Sequence, residues 1–487
     1  MNSTTKTKRI SWLMLLLGMI LLTRLISLWF NNSELFFDEA QYWFWAQELD
    51  FGYFSKPPLL AWIIASSTAV CGNDGAFCVR LAAPIIHVAT AIMIYLSAAR
   101  LFDEHTAFWS GILYAIMPAV SLSSTIISTD VPLMFCWSFA LYAYVRLREE
   151  FDVKWALILG ISIGLGLNAK YAMVYFVGCA LIHMLVEQQE YTPPRKPVFW
   201  LAILVAAVMM IPNGIWNFEN GFVTALHTGE NIGWDGFVAN WTGLAEFFGS
   251  QFGVFGPIAF GIFLATAFRM WGDTISREHR LLLSFSLPIL VLLLGQAIIS
   301  KAYANWAATT YIAASILVAE VMVNRIPKLW LNSTVALHGL VFAGITIAVC
   351  SAGPGQLVLP NGVQPFARTQ GATLLADEVK DVWGQYEYNG LVTTDRKLSS
   401  LLVYNLRDQD ISVHAWRYGE IPRDHFQMSI PFQESLRDPV LVVSRYDNMD
   451  AYRAGFKSAT NLGHRDIAAG NIKRLYFFRL EGHESFQ

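Results

Sequence analysis

Charge is what this chain has least of. Only 15% of its 487 residues are Asp, Glu, Lys or Arg, while 55% are hydrophobic; an ordinary soluble domain carries roughly 25% charge. That scarcity excludes a soluble protein and indicates an integral membrane one. Basic patches, zinc-ligand spacings and phosphate-cradling glycine loops are also missing, so a nucleic-acid partner is excluded.

The charge that is present is segregated. From Gly353 onward, 135 residues carry 15 Lys/Arg and 16 Asp/Glu, which is 31 of the chain's 71 charges. The expected division is a membrane body over 1–352 and a soluble domain over 353–487. In that tail, 374–383, 398–407 and 449–459 read as amphipathic helices, and 390–395, 411–416, 439–447 and 474–480 as strands. A small α/β domain follows, with no nucleophile and partner base standing out. Substrate contact is its expected role.

Ser11–Phe30 is the first membrane-length apolar run; a basic stretch precedes it and no small-residue cleavage site follows, so a retained helix is expected. Further runs lie near 80–100, 107–124, 131–147, 155–169, 171–187, 198–216, 252–270, 281–299, 305–323 and 332–352, giving about eleven spans. Leu59–Val70 is too short to cross and reads as an interfacial helix. The fold class is therefore a mainly α, polytopic helical membrane protein with a small α/β tail.

Lys and Arg orient the spans. Lys6, Lys8 and Arg9; Arg100; Arg146, Arg148 and Lys154; Arg195 and Lys196; Arg269, Arg277 and Arg280; and Arg325 and Lys328 occupy alternate connections. The positive-inside rule makes these cytoplasmic. Residues 31–79 and the tail then lie outside, in the periplasm of a Gram-negative cell with the spans in its inner membrane.

The opposite face is nearly bare, which makes its few charges conspicuous. It keeps Lys56, Lys170 and Lys301, with Arg80 at a span entry, and the acids Asp38, Glu39 and Asp130. Each has a plain structural reading. Asp38 would cap a helix with Gln41 at N3, Tyr42–Trp45 would form an interfacial aromatic belt, and the lysines would snorkel. Cys71 and Cys78, flanking GNDGAF, are open between a disulfide and packing. The segment 217–251 is expected to be a long external loop, with His227 and Glu230 solvated rather than metal-binding.

Taken together, three lysines and two acidic positions on one face favour chemistry. Ammonium groups hold phosphate as point charges. A carboxylate removes the proton of an attacking hydroxyl, and cations stabilise the charge on a leaving group. Glycosyl transfer from a lipid-phosphate sugar uses all of these, and outside the cell no nucleotide donor is at hand. A transporter or lipid-sugar flippase is the alternative, although such folds show internal repeats and none is visible here. A polymerase or ligase would call for external arginines, which these loops lack.

At this point a resemblance emerges. Asp38-Glu39 after the first span, YFSKPPLLAW, Asp130 before a span, Lys170-Tyr171 and SKAYANWAATTY resemble the GT-C membrane glycosyltransferases over roughly the first 320 residues. The similar branch holds the lipid A aminoarabinose transferases, the protein O-mannosyltransferases and the lipopolysaccharide core galacturonosyltransferases. The resemblance implies Asp38 as catalytic base with inversion at the anomeric carbon, Glu39 in support and Asp130 as second acid. It further implies Lys56, Lys170 and Lys301 on the donor phosphate, and Tyr53, Tyr171, Tyr303 and Trp306 in ring or phosphate contacts. The implied partners are a polyprenyl-phosphate-linked sugar, a lipid or glycan acceptor such as lipid A or lipopolysaccharide, and membrane lipids. One departure stands out: the aminoarabinose transferases carry a glutamate before the loop lysine, where this chain has Ser55. No metal is carried over, and a divalent cation shared by Asp38 and Glu39 is left open.

Overall fold

Among the described residues, each of the eleven apolar runs is mainly helical in the computed structural model, which describes residues 3–187, 197–232, 239–269, 276–352, 364, 366–433, 438–453 and 456–483. Arg195, Lys196, Gly353 and the side chain of Glu230 lie outside the described residues. By length and apolarity five helices suffice to cross a membrane: Lys8–Trp29, Ala76–Leu101, Pro197–Glu219, Arg277–Ile299 and Lys328–Cys350. Trp241–Phe255 and Pro257–Arg269, bent by 113° where they meet, make a sixth if counted together. The remaining runs fall short for local reasons. Three form the shorter helices Val153–Ala169, Tyr171–Val186 and Thr310–Asn324. The run at 107–124 splits into Glu104–Ala115 and Pro118–Ser123. Met117 is extended at φ −55°, ψ 139°, as the residue before a proline is forced to be.

The chain divides into two compact units. The first comprises Met1–Trp29, Lys56–Ile63 and Arg80–Ile347; the second comprises Phe30–Ser55, Ile64–Val79 and Ala348–Gln487.

In the first unit, Thr310–Asn324 is the central helix, buried continuously from Thr310 to Met322. Trp137, Tyr144, Phe260 and Phe263 belong to the same core. Helices Ser3–Trp29, Pro197–Glu219 and Lys328–Cys350 expose Trp12, Leu22, Trp200, Leu204, Leu340 and Ile347 instead. Apolar side chains turned outward along a whole helix are the pattern of a lipid-facing surface. Helix Val153–Ala169 packs on Pro197–Glu219 through Gly160 and Gly164. A Cβ at Gly160 would stand 2.6 Å from the Ala202 carbonyl oxygen, and one at Gly164 would stand 2.8 Å from Met209 Cβ. Small residues four apart let two backbones approach in this way. Several of the orienting cations are held by acids that the sequence does not pair with them, Arg100 by Glu149 and Arg146 by Glu150 among them. Arg325 Nε lies 2.9 Å from Glu320, which also meets His279 Nε2 at 2.8 Å, and Arg148 pairs with Glu187.

The expected loop at 217–251 is mostly helix. Pro197–Glu219 runs on into it, Val223–Ile232 follows, and Trp241–Phe255 starts where the Asn240 side chain accepts from Gly243 N–H. Asparagine at an N-cap supplies that acceptor.

The second unit holds a five-stranded mixed sheet in the order β2-β1-β3-β5-β4. Its strands are β1 Gly390–Thr393, β2 Val413–Ala415, β3 Val440–Ser444, β4 Phe456–Asp466 and β5 Arg474–His483. β1 pairs in parallel with β2 and β3, whereas β5 runs antiparallel to both β3 and β4. The helix expected over 449–459 stops at Arg453 and gives way to β4. β4 is a largely exposed edge strand without in-out alternation, so its sequence gives no period-two signal. Helices Ala372–Trp383 and Arg396–Asn405 pack apolar faces through Leu375, Val379, Leu398 and Leu402 onto Leu391, Leu441 and Phe477 of the sheet.

Candidate active site

Asp130 occupies the first turn of helix Asp130–Glu150, and Lys170 ends helix Val153–Ala169 in extended conformation. Those positions bring the two side chains to the same end of an antiparallel helix pair. Lys170 Nζ meets Asp130 Oδ1 at 2.6 Å, with side chains only 18% and 15% exposed. The other carboxylate oxygen accepts from Asn305 Nδ2 at 2.7 Å. Asn305 sits in a single 3₁₀ turn, Ala304–Ala307. An ammonium carries three N–H donors, and among the described residues Asp130 is the one acceptor that Lys170 engages. Capacity for a phosphate oxygen therefore remains.

The first unit also holds most of the other expected contacts. Tyr171 donates to Asn213 Oδ1 at 2.8 Å and accepts from Asn217 Nδ2 at 3.3 Å. Its hydroxyl is thus committed to helix Pro197–Glu219. Tyr303 and Trp306 meet edge-on with ring centroids 5.4 Å apart. Tyr303 and Lys301 are exposed, while Lys56 is half-buried ahead of Pro57-Pro58 and helix Leu59–Cys71. Arg80 is fully buried.

In the second unit, helix Phe37–Gln47 begins two residues earlier than the capping reading requires. Phe36 is the N-cap, and Asp38 lies within the first turn. Glu39, 2% exposed, reaches back to accept from Phe36 N–H at 3.0 Å. Asp38 instead faces Arg396, whose Nη2 lies 3.1 Å from its Oδ1. Arg396 also donates to Gln41 Oε1 at 3.0 Å and lies 4.9 Å above the Phe37 ring. The neighbouring acids thus serve different partners, one closing a helix and the other pairing with a guanidinium. Two carboxylates chelating a single divalent ion would face one another, so the pair does not fit a metal in this arrangement.

Tyr53 is 2% exposed and stacks on Trp45 with centroids 4.7 Å apart. Its hydroxyl donates to the Trp45 carbonyl at 2.9 Å and accepts from Asp50 N–H at 3.1 Å. Burial pushes this phenol up to about 12. Instead of the free face expected of a substrate contact, Tyr53 is a staple of the loop. His425 stands edge-on to both rings, and burial lowers it to about 3. Cys71 and Cys78 are disulfide-bonded. Tyr42–Trp45, read as an interfacial belt, pack inside this unit: Trp43 meets Tyr404 and Phe44 meets Phe426, each at 5.0 Å.

Two participants escaped sequence reading. Asn305 lay in a quoted segment but reads as an ordinary turn residue, and Arg396 lies 358 positions from Asp38, beyond any local pattern.

Against known proteins, the family model described as dolichyl-phosphate-mannose-protein mannosyltransferase matches residues 55–216. The lipid A galacturonosyltransferase RgtD of Rhizobium johnstonii is 34% identical over 434 residues, covering 89% of this chain and 90% of that protein. The lipopolysaccharide core galacturonosyltransferase RgtA of the same organism is 29% identical over 185 residues, 37% of this chain and 36% of that one. Among solved structures, ArnT from Cupriavidus metallidurans in the apo state superposes with a TM-score of 0.69 at 16% identity. It covers 96% of this chain and 98% of its own. ArnT bound to undecaprenyl phosphate gives 0.67.

Proposed function

Because the chain belongs to the GT-C family of membrane glycosyltransferases that includes the lipid A galacturonosyltransferase RgtD, we propose that it transfers a sugar from a polyprenyl phosphate to lipid A or the lipopolysaccharide core on the periplasmic face of the inner membrane. The chain is a membrane glycosyltransferase, with the fold of ArnT. The observation carrying the proposal is the 34% identity to RgtD across nine-tenths of both proteins. The names of both curated relatives favour galacturonic acid as the sugar. The Cys71–Cys78 bond supports an oxidising compartment for the second unit.

In this reading Asp38 takes the proton of the acceptor hydroxyl as it attacks, and the polyprenyl phosphate departs. Glu39 holds the start of the helix that presents Asp38. Asp130 and Asn305 fix the Lys170 ammonium, which joins Lys56 and Lys301 on the departing phosphate. Cations there stabilise the charge that builds as the bond to C1 breaks. Tyr303 and Trp306 offer partly exposed rings, while the engaged hydroxyls of Tyr53 and Tyr171 confine those residues to shaping the site. No step is routed through a metal. Mass spectrometry of lipid A and core from cells with and without the gene tests the proposal. A sugar-sized mass lost with the gene is expected; unchanged lipid A and core would overturn it.

A further inference from the structure

A second constellation in the second unit is not used by the transfer step. A cavity of about 60 Å³ is lined by the rings of Phe36 and Phe37, the cations Arg368, Lys397 and Arg445, and Asn471. No Asp or Glu is among its lining residues. Three cations in one small cavity are unusual in a tail whose charges otherwise nearly balance, 15 basic to 16 acidic. Arg445 is partly neutralised by Asp395 at 2.8 Å. Among the described residues, Arg368 and Lys397 have no carboxylate within 4 Å. Lys397 lies 5.3 Å above the Phe37 ring, and that contact leaves its N–H donors available. The nearby amides of helix Ala372–Trp383 are already met by Glu34, which accepts from Ala372 N–H at 2.6 Å and Thr373 N–H at 2.9 Å. The positive character therefore belongs to the side chains.

The rim is rigidly built. Gly371 at φ +86° and Gly470 at φ +88° pass each other so closely that a Cβ on the first would lie 2.3 Å from the Ala469 carbonyl oxygen. A Cβ on the second would lie 2.2 Å from that of Gln370. Only glycine takes such a conformation with backbone so near. Arg368 lies three residues before one crossing glycine, and Asn471 directly follows the other. The cavity is lined by sequence neighbours of the proposed base and its partner: Phe37 precedes Asp38, and Lys397 follows Arg396, which pairs with Asp38.

We propose that this cavity is an acceptor-recognition subsite that takes an anionic oxygen group, phosphate or carboxylate, carried by the acceptor saccharide. The inference rests on the transferase reading for calling its ligand an acceptor. Arg368 and Lys397 supply charge-assisted hydrogen bonds, Asn471 an amide, and Phe36 and Phe37 apolar faces for the attached sugar ring. The volume admits one such group or a handful of waters, not a nucleotide. Anchoring the acceptor one residue from Asp38 would set which hydroxyl meets the base.

The test uses the full chain in neutral-lipid nanodiscs, with lipid A carrying its phosphates and the same lipid dephosphorylated. Both donor-free retention by native mass spectrometry and transfer kinetics are read. Arg368→Gln/Lys397→Gln is expected to weaken binding and raise KM for the phosphorylated lipid by about ten- to a hundredfold. The dephosphorylated lipid, kcat and donor KM should change less than about twofold, and Lys397→Arg should retain discrimination. Competition by N-acetylglucosamine 1-phosphate or by galacturonate identifies the preferred anion. Equal competition by neutral N-acetylglucosamine, or unaltered discrimination in the double variant, would overturn the subsite. Should the wild type transfer sugar to neither lipid, the transferase reading fails on its own, and donor-free retention still decides the cavity.

Discussion

Replacing Asp38 by Asn separates the catalytic reading of this carboxylate from the structural one. Asp38 and Arg396 are 31% and 36% exposed and 3.1 Å apart, so their pairing contributes about 0.2–1 kcal/mol to stability. Loss of a general base costs roughly 10²–10⁴ in rate, or about 2.7–5.5 kcal/mol of transition-state stabilisation. The two magnitudes do not overlap, which makes the experiment decisive. Arg396→Gln breaks the same ion pair while leaving the carboxylate. In single-turnover transfer from a polyprenyl-phosphate sugar, Asp38→Asn should fall by about two to four decades and Arg396→Gln by less than one. Both proteins should melt near the wild-type temperature. Equal losses in the two variants, or Asp38→Asn activity within tenfold of wild type, would refute Asp38 as the base.

Two further outcomes follow from packing. His425 stays neutral when folded because burial lowers it from 6.5 to about 3. The unfolded chain therefore binds a proton that the folded one refuses, and stability falls as pH drops from about 6.5 towards 3, by up to about 1.4 kcal/mol per pH unit. Thermal melts at stepped pH should show this slope in the wild type and a flatter one in His425→Phe. Asp424, a neighbour that burial also perturbs, is common to both proteins and cancels. Matching slopes would sink the assignment. For the helix seam, Gly160→Ala should lower stability in detergent by about 1–3 kcal/mol, because its Cβ meets backbone at 2.6 Å. Gly178→Ala, which meets nothing within 4 Å, should be neutral; similar melting of the two would contradict the seam.

The membrane body was legible because apolar runs report helices directly, and the scarcity of Lys and Arg in alternate connections supplied the proposed sidedness. That sidedness also singled out Asp130 and Lys170, which the fold joins at 2.6 Å. The start of helix Phe37–Gln47 was misplaced because Asp is a better N-cap by preference than Phe. The Glu39 carboxylate nevertheless satisfies the Phe36 amide from inside the helix, so no side-chain cap from Asp38 was needed. Strand β4 was lost since an exposed edge carries no alternation. Arg396 could not be read at all: a partner of Asp38 so distant in sequence is specified by the sheet and helices between them, not by spacing.

The bond between Cys71 and Cys78 carries a consequence for biogenesis. It closes an eight-residue ring in which Asp74 presents its carbonyl to the Tyr404 hydroxyl, 2.9 Å away. Tyr404 is synthesised more than 300 residues later, so, if residues 71–78 face the periplasm as proposed, the ring has time to oxidise before its tail partner leaves the ribosome. Cells deprived of their thiol oxidant would then accumulate chain that is inserted normally yet protease-sensitive near this turn, a maturation defect rather than a targeting one.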